Sequence, residues 1–363
     1  MKRRVIRVFT SAVLTGTMVL TMGGMTAQAE VVDQIDLKKV VTTDGDTYAP
    51  NTAFEFKINN GTGNGSTKIG DQTVVVRPGV DGGLVLADYN DFTYSPTKMD
   101  AVAASYTIEG KIIVDIEKFD APGVYHYTVN EVEPDKKYDG ILYDTKVRNV
   151  YVYIENKEHG GGFECKYVKT VKEGETEKSD LTFTNNYGQG DGENDTTHDI
   201  KITKTVSGNQ GDKEKAFTFS AMVKGSDDGE FYKVVMDQKG GTNTEAFDHL
   251  ESGISKTFTL KDGESIHIYG LTQGDIYTIS ETDYSSDGYV TTFDGKPIEV
   301  SEGKVTKEGN VTADDSTVEV ENNKTVSTPT GLALSFGPYA LMVALAGAFA
   351  ALFLRKKREQ EEL

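Results

Sequence analysis

Internal disulfides are out of reach for this chain, because its 363 residues contain one cysteine, Cys165. Tryptophan is absent, and proline is limited to 8 residues. The five histidines, His126, His159, His198, His249 and His267, are scattered, and none stands at metal-ligand spacing from another histidine or from the cysteine. No metal is expected. Nucleophile elbows, phosphate loops and dinucleotide fingerprints are missing as well, and Gly61-Thr62-Gly63-Asn64-Gly65 lacks the Lys-Ser/Thr ending of a phosphate cradle, so it reads as a loop tip. Neither a cofactor nor a multiple-turnover enzyme has residues to rest on. Positive charge is short too: 38 Lys+Arg stand against 57 Asp+Glu, a net of -19, which removes nucleic acid from the expected partners.

What the chain does have is 38 Gly, 18 Tyr and 16 Phe, a composition of strands and turns, and an all-β fold is expected. Cys165 lies in Phe163-Glu164-Cys165-Lys166-Tyr167, where alternation puts it on one face with Phe163 and Tyr167 as a small buried hydrophobe. Tyr151-Val152-Tyr153 reads as a packing strand, and His126, between Tyr125 and Tyr127, faces outward.

Both ends carry their own signals. Residues 1–29 read as a secretory signal peptide: Lys2, Arg3, Arg4 and Arg7, an apolar run from Val8, then Ala27-Gln28-Ala29 as a small-residue cleavage site. Residues 332–354 are nearly uncharged, about 35 Å as a helix, and are followed at once by Arg355-Lys356-Lys357-Arg358. That pattern predicts a transmembrane helix with a basic cytoplasmic tail over 355–363, leaving everything before it outside the cell. With four basic residues set aside at each end and three acidic ones in the tail, 30 basic and 54 acidic residues remain, net -24.

Between the ends, Gly188-Gln189-Gly190-Asp191-Gly192-Glu193-Asn194-Asp195 breaks the apolar periodicity and reads as a linker. A calcium loop there would need a glycine at Thr196 and an acid at Ile202. The expected organisation is a first domain over 30–188, a linker over 189–198, a second domain over 199–325 and a short motif region over 326–331.

The two domains repeat one order of strand patterns. Ile35, Leu37, Lys39 and Val41 share one face, as do Ile200, Ile202, Lys204 and Val206. Tyr127-Thr128-Val129-Asn130-Glu131 and Tyr277-Thr278-Ile279-Ser280-Glu281 turn Glu131 and Glu281 inward by the same parity. Closing strands follow in Leu181-Thr182-Phe183-Thr184-Asn185 and Val318-Glu319-Val320-Glu321-Asn322, where parity selects Asn185 and Asn322. Each half thus aims one Lys, one Glu and one Asn at its core. Burial disfavours charge, so it favours a neutral amine beside a protonated carboxyl. A neutral lysine held against a carboxamide is a nucleophile, the Glu can move protons, and loss of ammonia leaves a Lys–Asn isopeptide bond. Such a bond ties the first strand to the last and does for this exported chain what disulfides do elsewhere.

Ile35 to Tyr187 and Ile200 to Asn322 resemble the tandem isopeptide-linkage domains of streptococcal-type backbone pilins, themselves similar to Cna B-type immunoglobulin-like β-sandwiches. In the first half the likeness runs through Ile35-Asp36-Leu37-Lys38-Lys39, Ala49-Pro50-Asn51-Thr52-Ala53-Phe54, Gly123 through Glu131, Tyr143-Asp144 and Phe183-Thr184-Asn185-Asn186-Tyr187. In the second it runs through Ile202-Thr203-Lys204-Thr205-Val206, Leu260 through Gly263, Gly270-Leu271, Tyr277 through Glu281 and Val320-Glu321-Asn322. The resemblance implies bonds Lys39–Asn185 and Lys204–Asn322, with Glu131 and Glu281 as their catalytic partners. Ser327-Thr328-Pro329-Thr330-Gly331, ahead of the apolar run and basic tail, resembles a cell-wall sorting signal cut by a sortase between Thr330 and Gly331. It departs from Leu-Pro-any-Thr-Gly, because nothing separates Pro329 from Thr330, and is nearer to a Val-Pro-Thr-Gly form with Thr328 in place of Val. Related pilins carry an acceptor lysine shortly before the closing Asn strand, where Lys178 stands, with Lys166, Lys169 and Lys172 close enough to compete.

The expectation is a backbone pilin, extracellular and wall-linked, whose chemistry is single-turnover and intramolecular. Its partners would be a sortase, copies of itself in a covalent polymer, peptidoglycan, and minor pilins or a host surface. The alternative is a wall-anchored adhesin or minor pilin using the same domains as a stalk.

Overall fold

The structure, a computed structural model, describes residues 31–326 other than 64, 70, 71, 100, 190–195, 238, 240–242, 246 and 248, together with residues 339 and 341–351. The signal peptide expected over 1–29, the motif Ser327–Gly331, part of 332–354 and the tail 355–363 lie outside the described residues, as does most of the expected linker. Residues 341–351 are helical, with Leu341, Met342, Val343, Leu345 and Phe349 exposed. No helix among the described residues is long and apolar enough to cross a membrane.

Up to residue 326, regular structure is nearly all strand, interrupted by the four-residue helix Pro96–Met99 and the single 3-10 turns Ile116–Lys118 and Ser285–Asp287. The all-β expectation therefore holds. In the first half, one sheet runs in the order Ile141–Leu142, Thr182–Tyr187, Gln34–Thr42, Ser105–Val114, Leu84–Leu86. The other is built on Phe163–Lys172, Arg148–Asn156 and Gly123–Val132, with Glu55–Asn60 also paired to Gly123–Val132. In the second half, Phe231–Asp237, Ser265–Thr272, Thr197–Ser207, Ser316–Asn323 and Val290–Phe293 make one sheet, and Lys256–Leu260, Phe217–Lys224, Ile276–Thr282 and Lys304–Asn310 make the other.

Two separate cores result, one drawn from residues 35–187 and one from 200–320. Each fills the space between its two sheets with the inward side chains of alternating strands: Leu37, Val41, Val129 and Val150 belong to the first core, and Ile202, Val206, Phe219 and Ile279 to the second. In both halves the first and last strands lie side by side and parallel, with Lys39 opposite Phe183 and Val41 opposite Asn185, and Lys204 opposite Val320 and Val206 opposite Asn322. Each Asn therefore stands two residues beyond its Lys in register, on the same face.

Alternation fails in one strand of the first half. Phe163–Lys172 slips against Arg148–Asn156, so that Tyr153 pairs with Tyr167 but Ile154 pairs with Cys165. The extra residue is a β-bulge that turns Tyr167 outward against Tyr153, ring centres 5.1 Å apart, instead of inward beside Cys165. Cys165 itself is buried as expected, and burial pushes its thiol up to about 12. His126 stacks on Tyr151 at 4.7 Å, with Nε2 2.9 Å from Asn149 Oδ1.

The halves also touch each other. Asp227 accepts from Lys136 Nζ at 2.8 Å and from the Asp139 N–H at 2.9 Å, and Asn51 Nδ2 donates to the Asp228 carbonyl at 2.9 Å. Behind them Glu230 and Asp275 are buried around Tyr232, whose hydroxyl lies 3.0 Å from Glu230 Oε2 and 3.3 Å from Asp275 Oδ2. Gly225 leaves room for this group, since a Cβ there would sit 1.5 Å from Glu230 Oε2. Burial, with Asp275 alongside, pushes the Glu230 carboxyl up to about 8.

Candidate functional site: two buried Lys–Glu–Asn clusters

Each half gathers its expected trio from three strands. Lys39 comes from the first strand and Asn185 from the last, both in one sheet, while Glu131 reaches across from Gly123–Val132 in the other. Lys204, Asn322 and Glu281 repeat this arrangement, Glu281 arriving from Ile276–Thr282. Lys39, Asn185, Glu281 and Asn322 are fully buried at 0% exposure, and Lys204 and Glu131 nearly so. Aromatic rings line the lysines: Lys39 Nζ lies 4.3 Å from the centre of Phe54, and Lys204 Nζ lies 4.3 Å from that of Phe217.

In the first cluster Glu131 bridges the other two, with Lys39 Nζ 2.7 Å from Oε2 and Asn185 Nδ2 2.5 Å from Oε1. The amide oxygen is held from behind by the Asp144 main-chain N–H at 2.8 Å. That N–H sits where charge would develop on Asn185 Oδ1 during attack at its carbonyl carbon. Asp144 is fixed in turn, its Oδ2 accepting from Arg148 Nη2 at 2.6 Å and from the Thr184 N–H at 3.1 Å. Arg148 is itself buried over the Phe183 ring.

The second cluster is wired differently. Lys204 Nζ bonds Asn322 Oδ1 directly and lies 3.3 Å from Glu281 Oε1. Asn322 Nδ2 donates to Thr291 Oγ1 at 3.1 Å, and Thr291 Oγ1 lies 3.2 Å from Glu281 Oε2.

Burial is the largest influence on all four ionisable groups. It pushes Lys39 and Lys204 down to about 8 against the opposing pull of their glutamates, and it raises Glu131 and Glu281. Both shifts favour an uncharged amine beside an uncharged carboxyl. A neutral nucleophile, a carboxyl that can give and take protons, and a carboxamide are the groups that amide exchange with loss of ammonia requires.

Lys178 lies elsewhere, exposed at a groove formed by Gln34–Lys38 of the first strand, Tyr167–Thr170 and Ser179–Thr182. Of its rivals, Lys166 is paired with Glu155 at 2.9 Å, and Lys169 donates to the Thr176 carbonyl at 3.3 Å. Sequence reasoning overlooked Arg148 and Thr291. Asp144 entered only as part of a resembling segment, and nothing in its spacing marks it as the residue behind Asn185.

Residues 35–188 match the family described as the Spy0128-like isopeptide containing domain, and residues 198–324 match a domain of unknown function, DUF7601. A pilin of Streptococcus pyogenes serotype M1 is 30% identical over 362 residues, 96% of this chain and 97% of that protein. The pilus tip adhesin Cpa of Streptococcus pyogenes is 39% identical over 136 residues, 38% of this chain but 18% of that protein. Among solved structures, the major pilin from Streptococcus pyogenes matches with a TM-score of 0.55 at 26% identity, covering 81% of this chain and 99% of that one. The major pilin T3.2 of the same species matches with a TM-score of 0.52 at 28% identity, covering 81% and 98%.

Proposed function

Because the chain belongs to the family of Gram-positive pilins and is a backbone pilin subunit, we propose that its two clusters close on themselves as isopeptide bonds, Lys39 to Asn185 assisted by Glu131 and Lys204 to Asn322 assisted by Glu281. The observation that carries this reading is the burial, twice, of one lysine and one carboxamide from the paired first and last strands with one carboxyl from the facing sheet, linked through Glu131 in the first cluster and by direct Lys204–Asn322 contact in the second. Buried polar groups are costly unless they are paired or react to a neutral product, and both trios do the first and are arranged for the second. The domains are then two Cna B-type immunoglobulin-like sandwiches, over 30–188 and 199–325, each acting once on itself.

Assembly follows the same reading. Residues 1–29 direct export, and residues 332–354 with the basic tail hold the precursor in the membrane until a sortase cuts after Thr330 and passes its carboxyl to Lys178 of another copy or to peptidoglycan. Support for Lys178 is its exposure at an open groove beside the last strand. The adhesin alternative is not favoured, since the likeness to the tip adhesin spans 18% of that protein against 97% of the pilin.

The intact mass of Glu30–Thr330 tests the chemistry. Each bond expels one ammonia, about 17 Da, so two bonds give a deficit of about 34 Da, and peptide mapping assigns the pairs. A full sequence mass would leave the six side chains as ordinary buried residues and end this reading.

A further inference from the structure

The two clusters differ in what touches the nitrogen that must leave. In the first, Asn185 Nδ2 contacts Glu131 itself at 2.5 Å. In the second, Asn322 Nδ2 bonds to the hydroxyl of Thr291, and that hydroxyl bonds to Glu281. Backbone pairing explains the exchange. Ile141–Leu142 runs beside the last strand of the first half only as far as Leu142 opposite Asn186, so the Asp144 N–H is free to bond the Asn185 side chain. Val290–Phe293 continues beside the last strand of the second half, with Val290, Thr291, Thr292 and Phe293 opposite Asn323, Asn322, Glu321 and Val320. A side chain directly opposite Asn322 is thereby brought against its amide, and that side chain is Thr291, buried on the same face as Phe293.

A hydroxyl on an inward face costs stability unless it is bonded, and the bonds recorded for Thr291 Oγ1 are to the two groups that would exchange protons. We propose that Thr291 is a catalytic residue of the second cluster, its hydroxyl passing a proton from Glu281 to the departing nitrogen of Asn322. This rests on the isopeptide reading of Lys204, Glu281 and Asn322.

The step balances. Lys204 Nζ, as a neutral amine, bonds to Asn322 Cγ and gives one proton to Glu281 Oε1. Attack makes Cγ tetrahedral and frees the lone pair of Asn322 Nδ2, so both hydrogen bonds reverse: the proton on Glu281 Oε2 moves to Thr291 Oγ1, whose own hydrogen turns from Glu281 to Nδ2 and is given to it. The Cγ–Nδ2 bond then breaks and ammonia departs. Glu281 ends protonated on its other oxygen, Thr291 ends as it began, and one amide replaces another with nothing oxidised or reduced.

Newly synthesised chain, collected unclosed into urea during cell-free translation and then diluted to fold, tests this when intact mass and mapped peptides are followed over time. Thr291→Val keeps shape and β-branching but removes the hydroxyl. It is expected to slow closure of Lys204–Asn322 on the order of a hundredfold while Lys39–Asn185 closes at the wild-type rate. Thr291→Ser is expected to recover most of the lost rate, which a purely space-filling role would not produce. Circular dichroism against Lys204→Ala separates slow chemistry from failed folding. Wild-type closure of the second bond in Thr291→Val overturns the relay and leaves the isopeptide reading standing. A wild-type chain that never closes the second bond overturns both.

Discussion

The first half surrounds its Lys–Glu–Asn trio with a main-chain donor held by a buried ion pair, and the second surrounds the same trio with a threonine hydroxyl. Their first and last strands pair in the same parallel register, so the difference arises in the strand flanking the last one. Where that strand stops early, a peptide N–H is released toward the amide oxygen, and where it continues its N–H groups stay in the ladder and a side chain must serve. The supporting groups of a site are thus set by where hydrogen-bond ladders end, and the reacting trio can be repeated without them.

The largest effect that would break this likeness between halves comes from removing a nucleophile. Lys39→Ala and Lys204→Ala should each lose one deficit of about 17 Da and lower the stability of their own half by about 5 kcal/mol, the chain-entropy value for a closed loop of more than 100 residues. Calorimetry that finds the two halves unequally affected would show that the bonds do unequal structural work.

Next is Arg148→Met, which frees Asp144 and should slow closure of Lys39–Asn185 by roughly tenfold while Lys204–Asn322 closes normally. Equal slowing of both bonds, in a time course begun from newly synthesised unclosed chain, would mean that the arginine supports folding in general.

Acidity sharpens the comparison further. Each pair reacts while it holds one proton as neutral amine and neutral acid, so closure should fall off in base, where the pair gives up that proton. It should also fall in acid, where the lysine is charged and the glutamate cannot accept. A rate that climbs steadily to pH 10 in either half would remove its glutamate from the proton path.

The smallest effect belongs to the second half alone. The Glu230 carboxyl is raised from 4.5 to about 8, so ionisation is disfavoured in the folded state, and the resulting loss of stability grows between pH 4.5 and 8. Glu230→Gln should therefore match the wild type in melting temperature near pH 4 and exceed it at pH 8. An equal melting temperature at pH 8 would mean that Glu230 is ionised at no cost.

Much of this was legible in the sequence because period-two alternation acts over single strands. Ile35 through Val41 and Ile200 through Val206 announce their inward faces, and repetition of Lys, Glu and Asn at the same parity marks six residues that the structure brings together. What alternation cannot report is register between strands. The bulge that sends Tyr167 outward, the ladder that ends at Leu142 and the pairing of Thr291 with Asn322 depend on which residues of two distant segments lie opposite each other. Arg148 was hidden for a related reason: an arginine in a strand reads as surface, and its burial follows from a carboxylate and two carbonyls supplied by Asp144, Lys146 and Thr182.

Parallel pairing of first and last strands also fixes a direction. Two neighbours that point the same way begin at one pole of the sandwich and finish at the other, so the chain enters each half at one end and leaves at the opposite end. An antiparallel closure would return it to the pole where it started. A fibre of such subunits joined tail to body has unlike ends and a length that grows by a fixed step with each addition, so arrowhead-like polarity is already present in the pairing of two strands.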